Sequence, residues 1–169
     1  MRDLARRAGV TTPTLYAYFD SKHDIYDAMF AQAAAEFTER MSVPYNGKDA
    51  RAILVEGLRR FAEFCTSDVA RYQLLFQRTI PGFEPSPGSY AHAVEALDAT
   101  RRHLVSIGIK RARYVDMWTA LMTGLVDQQI SNDPGGERWT RLTGEFVDMY
   151  LSYCGVEVGT RITSKGVSR

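Results

Sequence analysis

The chain has 169 residues, of which 45% are hydrophobic and 24% are charged, and its formal net charge is +1. This is the balance of a globular protein, and it excludes a globally basic nucleic-acid coat and a chain built around membrane-spanning segments of roughly 18 apolar residues. The two cysteines, Cys65 and Cys154, have no metal-ligand neighbours, so we expect neither a disulfide framework nor a metal site, and we expect a cytoplasmic location.

The N-terminal stretch predicts two short helices joined by a tight turn. Residues 2–8 contain helix formers with apolar side chains at helical spacing, and Gly9 ends this helix because glycine reaches positive φ without strain. Thr11 or Thr12 can cap the second helix, and Pro13 suits its first turn. This order of elements is that of a helix-turn-helix, whose second helix lies in the DNA major groove.

The rest of the chain predicts helices only, because apolar residues recur every three to four positions between segments rich in proline and glycine. The predicted helices span residues 22–41, 49–67, 68–79, 89–106, 110 or 111 to 131, and 137–153. The predicted fold class is therefore all-α. We expect three parts: a helix-turn-helix domain at 1–43, a helical effector-binding and dimerisation domain at 48–154, and a flexible tail at 155–169.

Residues 4–22 read Leu-Ala-x-x-Ala-Gly-Val-Thr-x-x-Thr-Leu-Tyr-x-Tyr-Phe-x-x-Lys. This wording resembles the tetracycline-repressor-like (TetR) family of bacterial transcription regulators. The resemblance implies an N-terminal DNA-binding domain and a helical second domain that binds an inducer. The family's DNA-binding domain begins with one helix more, so we expect this chain to lack that first helix, and whether this form binds DNA by itself stays open.

The candidate DNA contacts lie around the second helix. Its outward side chains can hydrogen-bond to base edges or touch a thymine methyl group, and the resemblance places the same positions in the groove. We assign Thr12, Pro13, Thr14 and Tyr16 to the bases. We assign Tyr18 and Lys22 to phosphates and Arg2 to a contact from the preceding helix. The alternative is that the two tyrosines only pack between helices.

The candidate effector site is a set of large apolar side chains on four predicted helices. Antiparallel packing can gather them around one cavity, which is the usual form of a small-molecule site. The set comprises Phe61, Phe64, Tyr72, Phe76, Tyr90, Trp118 and Met122. Polar groups can come from Gln73, Gln77, Asp116 and Asp127, and we expect the opening near the loop at 81–88. The alternative is that the set fills a solid core.

The last two helices are the candidate dimer surface, because each is apolar on more than one face and must bury two surfaces. The first stripe is Trp118, Met122, Leu125, Val126 and Gln129, and the second is Trp139, Leu142, Phe146, Met149, Tyr150 and Tyr153. The resemblance implies that two such helices from each subunit form a four-helix bundle. A monomer with a thick core is the alternative.

We find no catalytic constellation, phosphate loop or dinucleotide turn, so we predict no enzymatic activity and no cofactor. A basic cluster around Gly108 is assigned to solvated surface rather than to a second DNA contact; it comprises Arg101, Arg102, His103, Lys110, Arg111 and Arg113. The resulting hypothesis is a homodimeric regulator that binds a double-stranded operator and is released by an apolar or amphipathic small molecule. The rivals are a ligand-binding and dimerisation module without DNA binding, and an unrelated helical enzyme.

Overall fold

The computed structural model describes residues 1–46 and 49–157. The prediction of an all-α fold is confirmed, since the regular elements of this part are helices. They are α1 (Arg2–Arg7), α2 (Thr12–Tyr18), α3 (Lys22–Ser42), α4 (Ala50–Ser67), α5 (Val69–Phe76), α6 (Pro87–Ser106), α7 (Ala112–Asn132) and α8 (Thr143–Cys154), with a 3-10 turn at Thr140–Leu142. Among these described helices, none combines the length and apolarity needed to cross a bilayer.

The N-terminal unit has the turn and cap chemistry that its sequence predicts. Gly9 lies at φ +69°, in the left-handed region between α1 and α2. Thr11 is the N-cap of α2, where its hydroxyl accepts a hydrogen bond from the backbone N–H of Thr14. Ser21 and Asp24 form a reciprocal capping box at the start of α3. Each cap satisfies backbone donors that the first helical turn leaves free, so these boundaries are set locally.

Helix α3 lies side by side with α6 along most of its length, and the two helices run in the same direction. Near its start Phe30 stacks on Tyr90, with ring centroids 6.5 Å apart. Further along, the Thr38 hydroxyl donates to the backbone oxygen of His92 at 3.0 Å. The helix that directly follows the helix-turn-helix is therefore also a wall of the second domain.

The core of the second domain surrounds α4, which packs against α5, α7 and α8. Leu58 and Phe61 of α4 are 0% and 1% exposed, and Val126 of α7 and Val147 of α8 are each 0% exposed. Full burial of such a side chain contributes about 1.5–3 kcal/mol. A bidentate contact joins the same layers at the surface, where Arg51 donates to both carboxylate oxygens of Asp148 at 2.6 and 3.1 Å.

One helix end and two helix starts differ clearly from the sequence prediction. Helix α5 ends at Phe76 rather than at residue 79. Helix α6 begins at Pro87 with Ser86 as its cap, rather than at Ser89, because proline fits the first helical position even inside a proline-rich segment. Helix α8 begins at Thr143 rather than at Glu137. The buried side chain of Gln129 accepts from the backbone N–H groups of 139 and 140, which holds the intervening residues in a turn.

The predicted tail and the second domain's predicted start fall partly outside the described chain. Gly155, at φ +71°, ends α8 in the left-handed conformation that glycine favours. Residues 158–169 of the predicted tail lie outside the described residues. So does residue 48, at which we placed the start of the second domain.

Candidate DNA interface and effector site

Helix α2 presents almost its whole surface to solvent, and none of its residues is buried. Tyr16 is 49% exposed and Tyr18 is 79% exposed. Pro13 and Thr14 are also exposed, whereas Thr12 is half-buried. The four predicted base-reading side chains and Tyr18 therefore lie on one short helix, whereas Lys22 lies on α3 and Arg2 on α1. Large phenol side chains left this open are typical of a surface that binds a partner.

The polar side chains around α2 differ in whether they already have a hydrogen-bond or ion-pair partner among the described residues. The hydroxyl of Thr14 is hydrogen-bonded to that of Thr11 at 2.7 Å, so Thr14 also supports the cap. Lys22 is exposed at the start of α3 and has no ion pair among the described residues. Arg2 is exposed on α1. A free ammonium group at a helix N-terminus is suited to a phosphate, because the first backbone N–H groups also favour anions.

The seven predicted effector residues do not surround one cavity. Phe61, Phe76 and Met122 line a small apolar cavity of about 100 Å³, which we call the inner cavity. Phe76 and Tyr90 line a separate cleft of about 360 Å³ beside the proline-rich loop, which we call the outer cleft. The cleft lies at the loop where we expected the opening.

The other members of the set have packing roles. Trp118 is 3% exposed and its ring lies 4.9 Å from that of Tyr150. The guanidinium of Arg71 covers the ring of Phe64 at 3.9 Å. Tyr72 is buried and donates its phenol hydrogen to Asp127 at 2.7 Å. Phe64 and Tyr72 contact the rings of Phe37 and Phe76, which line the two spaces. Trp118 instead lines a separate space of about 20 Å³ together with Met122.

Two of the predicted polar residues meet beside the outer cleft. The side-chain amide of Gln77 donates to the same Asp127 oxygen at 2.6 Å that Tyr72 contacts. Burial and the bond to the carboxylate raise the pKa of Tyr72, so its phenol stays a hydrogen-bond donor. Gln73 and Asp116 are exposed.

Sequence reasoning missed two residues that join the outer cleft to α3. Phe83 lies in the loop before α6, and its ring centroid is 5.1 Å from that of His23, 5.8 Å from that of Tyr26 and 6.4 Å from that of Phe30. An aromatic residue inside a loop of prolines and glycines was the available signal, because a single large apolar side chain in such a segment needs a surface to cover it.

The second missed residue is Asp27, whose carboxylate accepts hydrogen bonds from Ser86 and Ser89 at the start of α6. Burial raises the pKa of Asp27, but the hydrogen bonds from these two serines outweigh that effect, so the pKa lies below its ordinary value of 3.8. The carboxylate is therefore ionised at neutral pH and favours the positive end of the α6 dipole.

A third space lies on the opposite side of α4. This groove of about 500 Å³ is bordered by Arg59, Glu63 and the turn at 134–137. None of the seven predicted effector residues lines it. We therefore treat the inner cavity and the outer cleft as the candidate effector site.

The predicted apolar stripe of α7 belongs to the core of the protomer. Its five residues are 0–6% exposed: Trp118, Met122, Leu125, Val126 and Gln129. The outward side of α7 instead carries Ala120 and Gly124. On α8, Met149 is 54% exposed and Tyr153 is 55% exposed. The surface available to a second subunit thus carries large apolar side chains on α8 and residues with small side chains on α7.

The described residues contain no group of three or more metal-ligating side chains placed to hold an ion. Both thiols are free: Cys65 is buried and Cys154 is half-buried. Burial raises the pKa of each thiol, so neither is poised as a thiolate nucleophile.

Comparison with known proteins identifies relatives of this chain. Residues 1–29 match the profile of the family described as "Bacterial regulatory proteins, tetR family". The tetracycline repressor protein class A from transposon 1721 of Escherichia coli is 31% identical over 146 residues, an alignment that covers 81% of this chain and 61% of that protein. The chain therefore spans less than two thirds of the length of that curated relative. No solved structure matches the chain significantly.

Proposed function

This chain belongs to the TetR family of bacterial regulatory proteins, and we propose that it is a dimeric DNA-binding transcription repressor. A small apolar or amphipathic ligand releases it from its operator in the cytoplasm. We assign it no enzymatic activity and no cofactor. The observation that carries the proposal is the exposed surface of α2, the second helix of the helix-turn-helix, with N-caps in place on α2 and on α3.

The DNA-binding part of the proposal assigns a role to each outward side chain of that unit. Thr12, Pro13, Thr14 and Tyr16 contact base edges in the major groove, where their hydroxyl and apolar groups distinguish base pairs. Tyr18, Lys22 and Arg2 contact the backbone and set the register of the protein on the duplex.

The dimer is proposed to form through the outward sides of α7 and α8. Exposed Met149 and Tyr153 on α8 supply apolar area. On α7, a Cβ built at Gly124 meets nothing within 4 Å, so another helix has room to approach there. Two recognition helices held at a fixed separation match successive major grooves, which a single protomer does not achieve.

The effector is proposed to bind in the second domain around Phe76, because this residue borders both the inner cavity and the outer cleft. Of the seven residues assigned from the sequence, four line these spaces: Phe61, Phe76, Tyr90 and Met122. A ligand that binds better to one separation of the recognition helices shifts the population toward it and thereby changes the affinity for the operator.

A second candidate function is a ligand-binding and dimerisation module that does not bind DNA. This second candidate is favoured because α1 and α2 bury little apolar surface against each other. Leu4 remains 41% exposed, and Ala5 is the residue of α1 that is buried. A helix-turn-helix with so little burial has little to hold its recognition helix in place.

A fluorescence-anisotropy titration separates the two candidates. Labelled duplexes tiling the region upstream of the protein's own gene are titrated with the 169-residue chain and with any in-frame N-terminal extension that the gene encodes. Repression predicts one duplex bound at least about 1000-fold more tightly than a scrambled duplex of equal length. Equal affinity for all duplexes, or binding to none with either form, contradicts the DNA-binding proposal and favours the module.

A further inference from the structure

A dense group of exposed cations surrounds the connection between α6 and α7. Between Asp98 and Asp116 the sequence has no acidic residue. Five basic side chains of this stretch are exposed, and we call them the distal basic surface: Arg101, Arg102, Lys110, Arg111 and Arg113. The sixth member of the predicted cluster, His103, is instead half-buried against Tyr45. Because the net charge of the whole chain is only +1, this surface is a local concentration of positive charge.

The path of the chain holds these cations on one short stretch of surface. Only residues 107–111 separate α6 from α7, and the chain reverses between them at Gly108, which has φ +92°. The guanidinium groups of Arg111 and Arg113 lie over one and the same ring, that of Tyr114, at 5.8 and 5.1 Å from its centroid. The end of α6 and the start of α7 therefore present their cations together.

The charges of this surface are mostly unpaired within the chain. Arg101 pairs with Asp98 at 2.8 Å, whereas the other four cations make no ion pair with the part of the chain that the structure describes. Lys110, Arg111 and Arg113 flank the first turn of α7, which has no acidic residue and no side-chain cap. Their charges oppose the dipole of α7. A local choice that works against the fold is expected where a surface has a binding role.

The distal basic surface lies at the opposite end of α3 from the recognition helix. Helix α3 begins four residues after the end of α2, and its 21 residues span about 31 Å. Just beyond its last residue, the ring of Tyr45 lies 4.6 Å from that of His103, the sequence neighbour of Arg102. The length of α3 therefore separates the two surfaces, and a duplex held by α2 and one held by the distal basic surface are different segments.

The composition of this surface favours a DNA duplex over a protein or a single strand. Protein interfaces have apolar and aromatic side chains at their centre, but within residues 101–113 Val105 alone is a large apolar side chain that is exposed. Single strands stack their bases on exposed rings, whereas Tyr114 is buried beneath two arginines. Interfaces with duplex DNA are polar and strongly positive, as this surface is.

We propose that the distal basic surface binds the phosphate backbone of a second segment of double-stranded DNA without sequence preference. The arginines donate hydrogen bonds to phosphate oxygens, Lys110 adds a compact positive charge, and release of the duplex's counterions drives the binding. This assignment replaces the solvated surface that the sequence pattern indicated. It goes beyond the repressor function and does not depend on α2 reading an operator.

Binding is tested by fluorescence anisotropy with the labelled scrambled duplex at several salt concentrations. The test variant is Arg102→Gln/Arg111→Gln. The control, Arg59→Gln/Arg141→Gln, removes the same net charge from exposed positions of the groove beside α4. We expect the test variant to bind at least about threefold more weakly and its slope of log affinity against log salt to fall by about two, with the control unchanged. Equal behaviour of the two variants overturns the proposal.

The class of partner is tested by competition with poly-L-glutamate at the same concentration of negative charge. We expect the duplex to bind the unmodified chain more tightly than the polypeptide does, because the surface lacks the apolar centre of a protein interface. Tighter binding of poly-L-glutamate, lost in Arg102→Gln/Arg111→Gln, assigns the surface to an acidic protein and overturns the proposal. Melting curves of both double variants serve as the control for folding.

The second segment is tested by biolayer interferometry. An immobilised scrambled duplex is loaded with the chain and then exposed to a further duplex in solution. We expect the unmodified chain and Arg59→Gln/Arg141→Gln to capture the further duplex, and Arg102→Gln/Arg111→Gln to lose most of this capture. No capture by the unmodified chain, or equal capture by both variants, overturns the second segment.

The outcomes separate this proposal from the repressor function. Specific operator binding by the unmodified chain, with no difference between the two double variants on the scrambled duplex, rejects the distal basic surface and leaves the repressor function standing. A chain that prefers no upstream duplex, but whose binding to the scrambled duplex weakens in Arg102→Gln/Arg111→Gln and not in the control, rejects the repressor function and leaves the distal basic surface standing.

Discussion

The carboxylate of Asp27 in α3 caps the first turn of α6 through Ser86. One oxygen accepts from the backbone N–H of Ser86 at 2.7 Å, and the other accepts from its hydroxyl at 2.8 Å. The hydroxyl of Ser89 donates to the second oxygen at 2.8 Å. A side chain two turns beyond the recognition helix thus completes the N-terminus of a helix in the second domain. Movement of α3 or of α6 must therefore break these hydrogen bonds or carry the other helix along.

Replacement of Asp27 by asparagine is expected to lower the free energy of unfolding by about 1 kcal/mol at neutral pH, the usual value of a helix cap. Because the pKa of Asp27 in the folded chain lies below 3.8, the unfolded chain takes up this proton first as the pH falls. The stabilisation is therefore complete well above pH 3.8 and is lost as the pH falls through the lowered value.

Urea unfolding of both proteins at about pH 6 and about pH 3 measures this dependence. We expect the difference in stability between the unmodified chain and Asp27→Asn to shrink at the lower pH. Glu95→Gln, an exposed carboxylate on α6, is the control and should show no difference at either pH. A difference that is the same at both pH values contradicts an ionised cap.

Tyr16→Ala is expected to cost about 1–3 kcal/mol of operator binding while changing non-specific binding little, because the phenol is assigned to a base edge. Lys22→Ala should weaken binding to all duplexes alike and reduce the slope of log affinity against log salt by about one. Anisotropy titrations at several salt concentrations measure both effects. An equal loss on every duplex for Tyr16→Ala would reduce that residue to a packing or phosphate role.

Met149→Asp is expected to convert a homodimer into monomers, because it places an unpaired charge at the centre of the proposed α8 contact. Met149 is 54% exposed, so the folded protomer should tolerate the change. Val105→Asp on α6, at a site 43% exposed, is the matched control and should stay dimeric. Sedimentation velocity measures the assembly, and a monomeric unmodified chain at micromolar concentration would refute the proposed bundle.

Gln129→Leu is expected to destabilise the chain by about 1–3 kcal/mol, because it leaves buried backbone groups without partners. The Gln129 amide donates to the backbone oxygens of Asp133 and Gly136, and its oxygen accepts from Trp139. Gln128→Leu, at the exposed neighbouring position, is the control and should change stability by less than about 0.5 kcal/mol. Denaturant unfolding measures both variants, and equal losses would mean that Gln129 does not hold the turn.

The helix-turn-helix was the most predictable part of the chain. Gly9, Thr11 and the capping box of Ser21 and Asp24 act on backbone groups three or four residues away, so their effect is present in the sequence itself. The start of α8 was not predictable in this way. It depends on Gln129, whose oxygen accepts from backbone groups 10 and 11 residues further along.

The sequence by itself determined the all-α class, most helix boundaries and the family resemblance, because caps, turns and helical periodicity are local properties. Only the tertiary structure decided which side of α7 is inward, since a helix with two apolar sides carries no local signal for the one that meets α4. It also placed Phe61 beside the inner cavity and Tyr90 beside the outer cleft. It brought Phe83 of the loop into contact with the start of α3, and Asp27 of α3 into contact with the start of α6. Those contacts depend on the closure of long segments, whose cost and geometry no short stretch of sequence encodes.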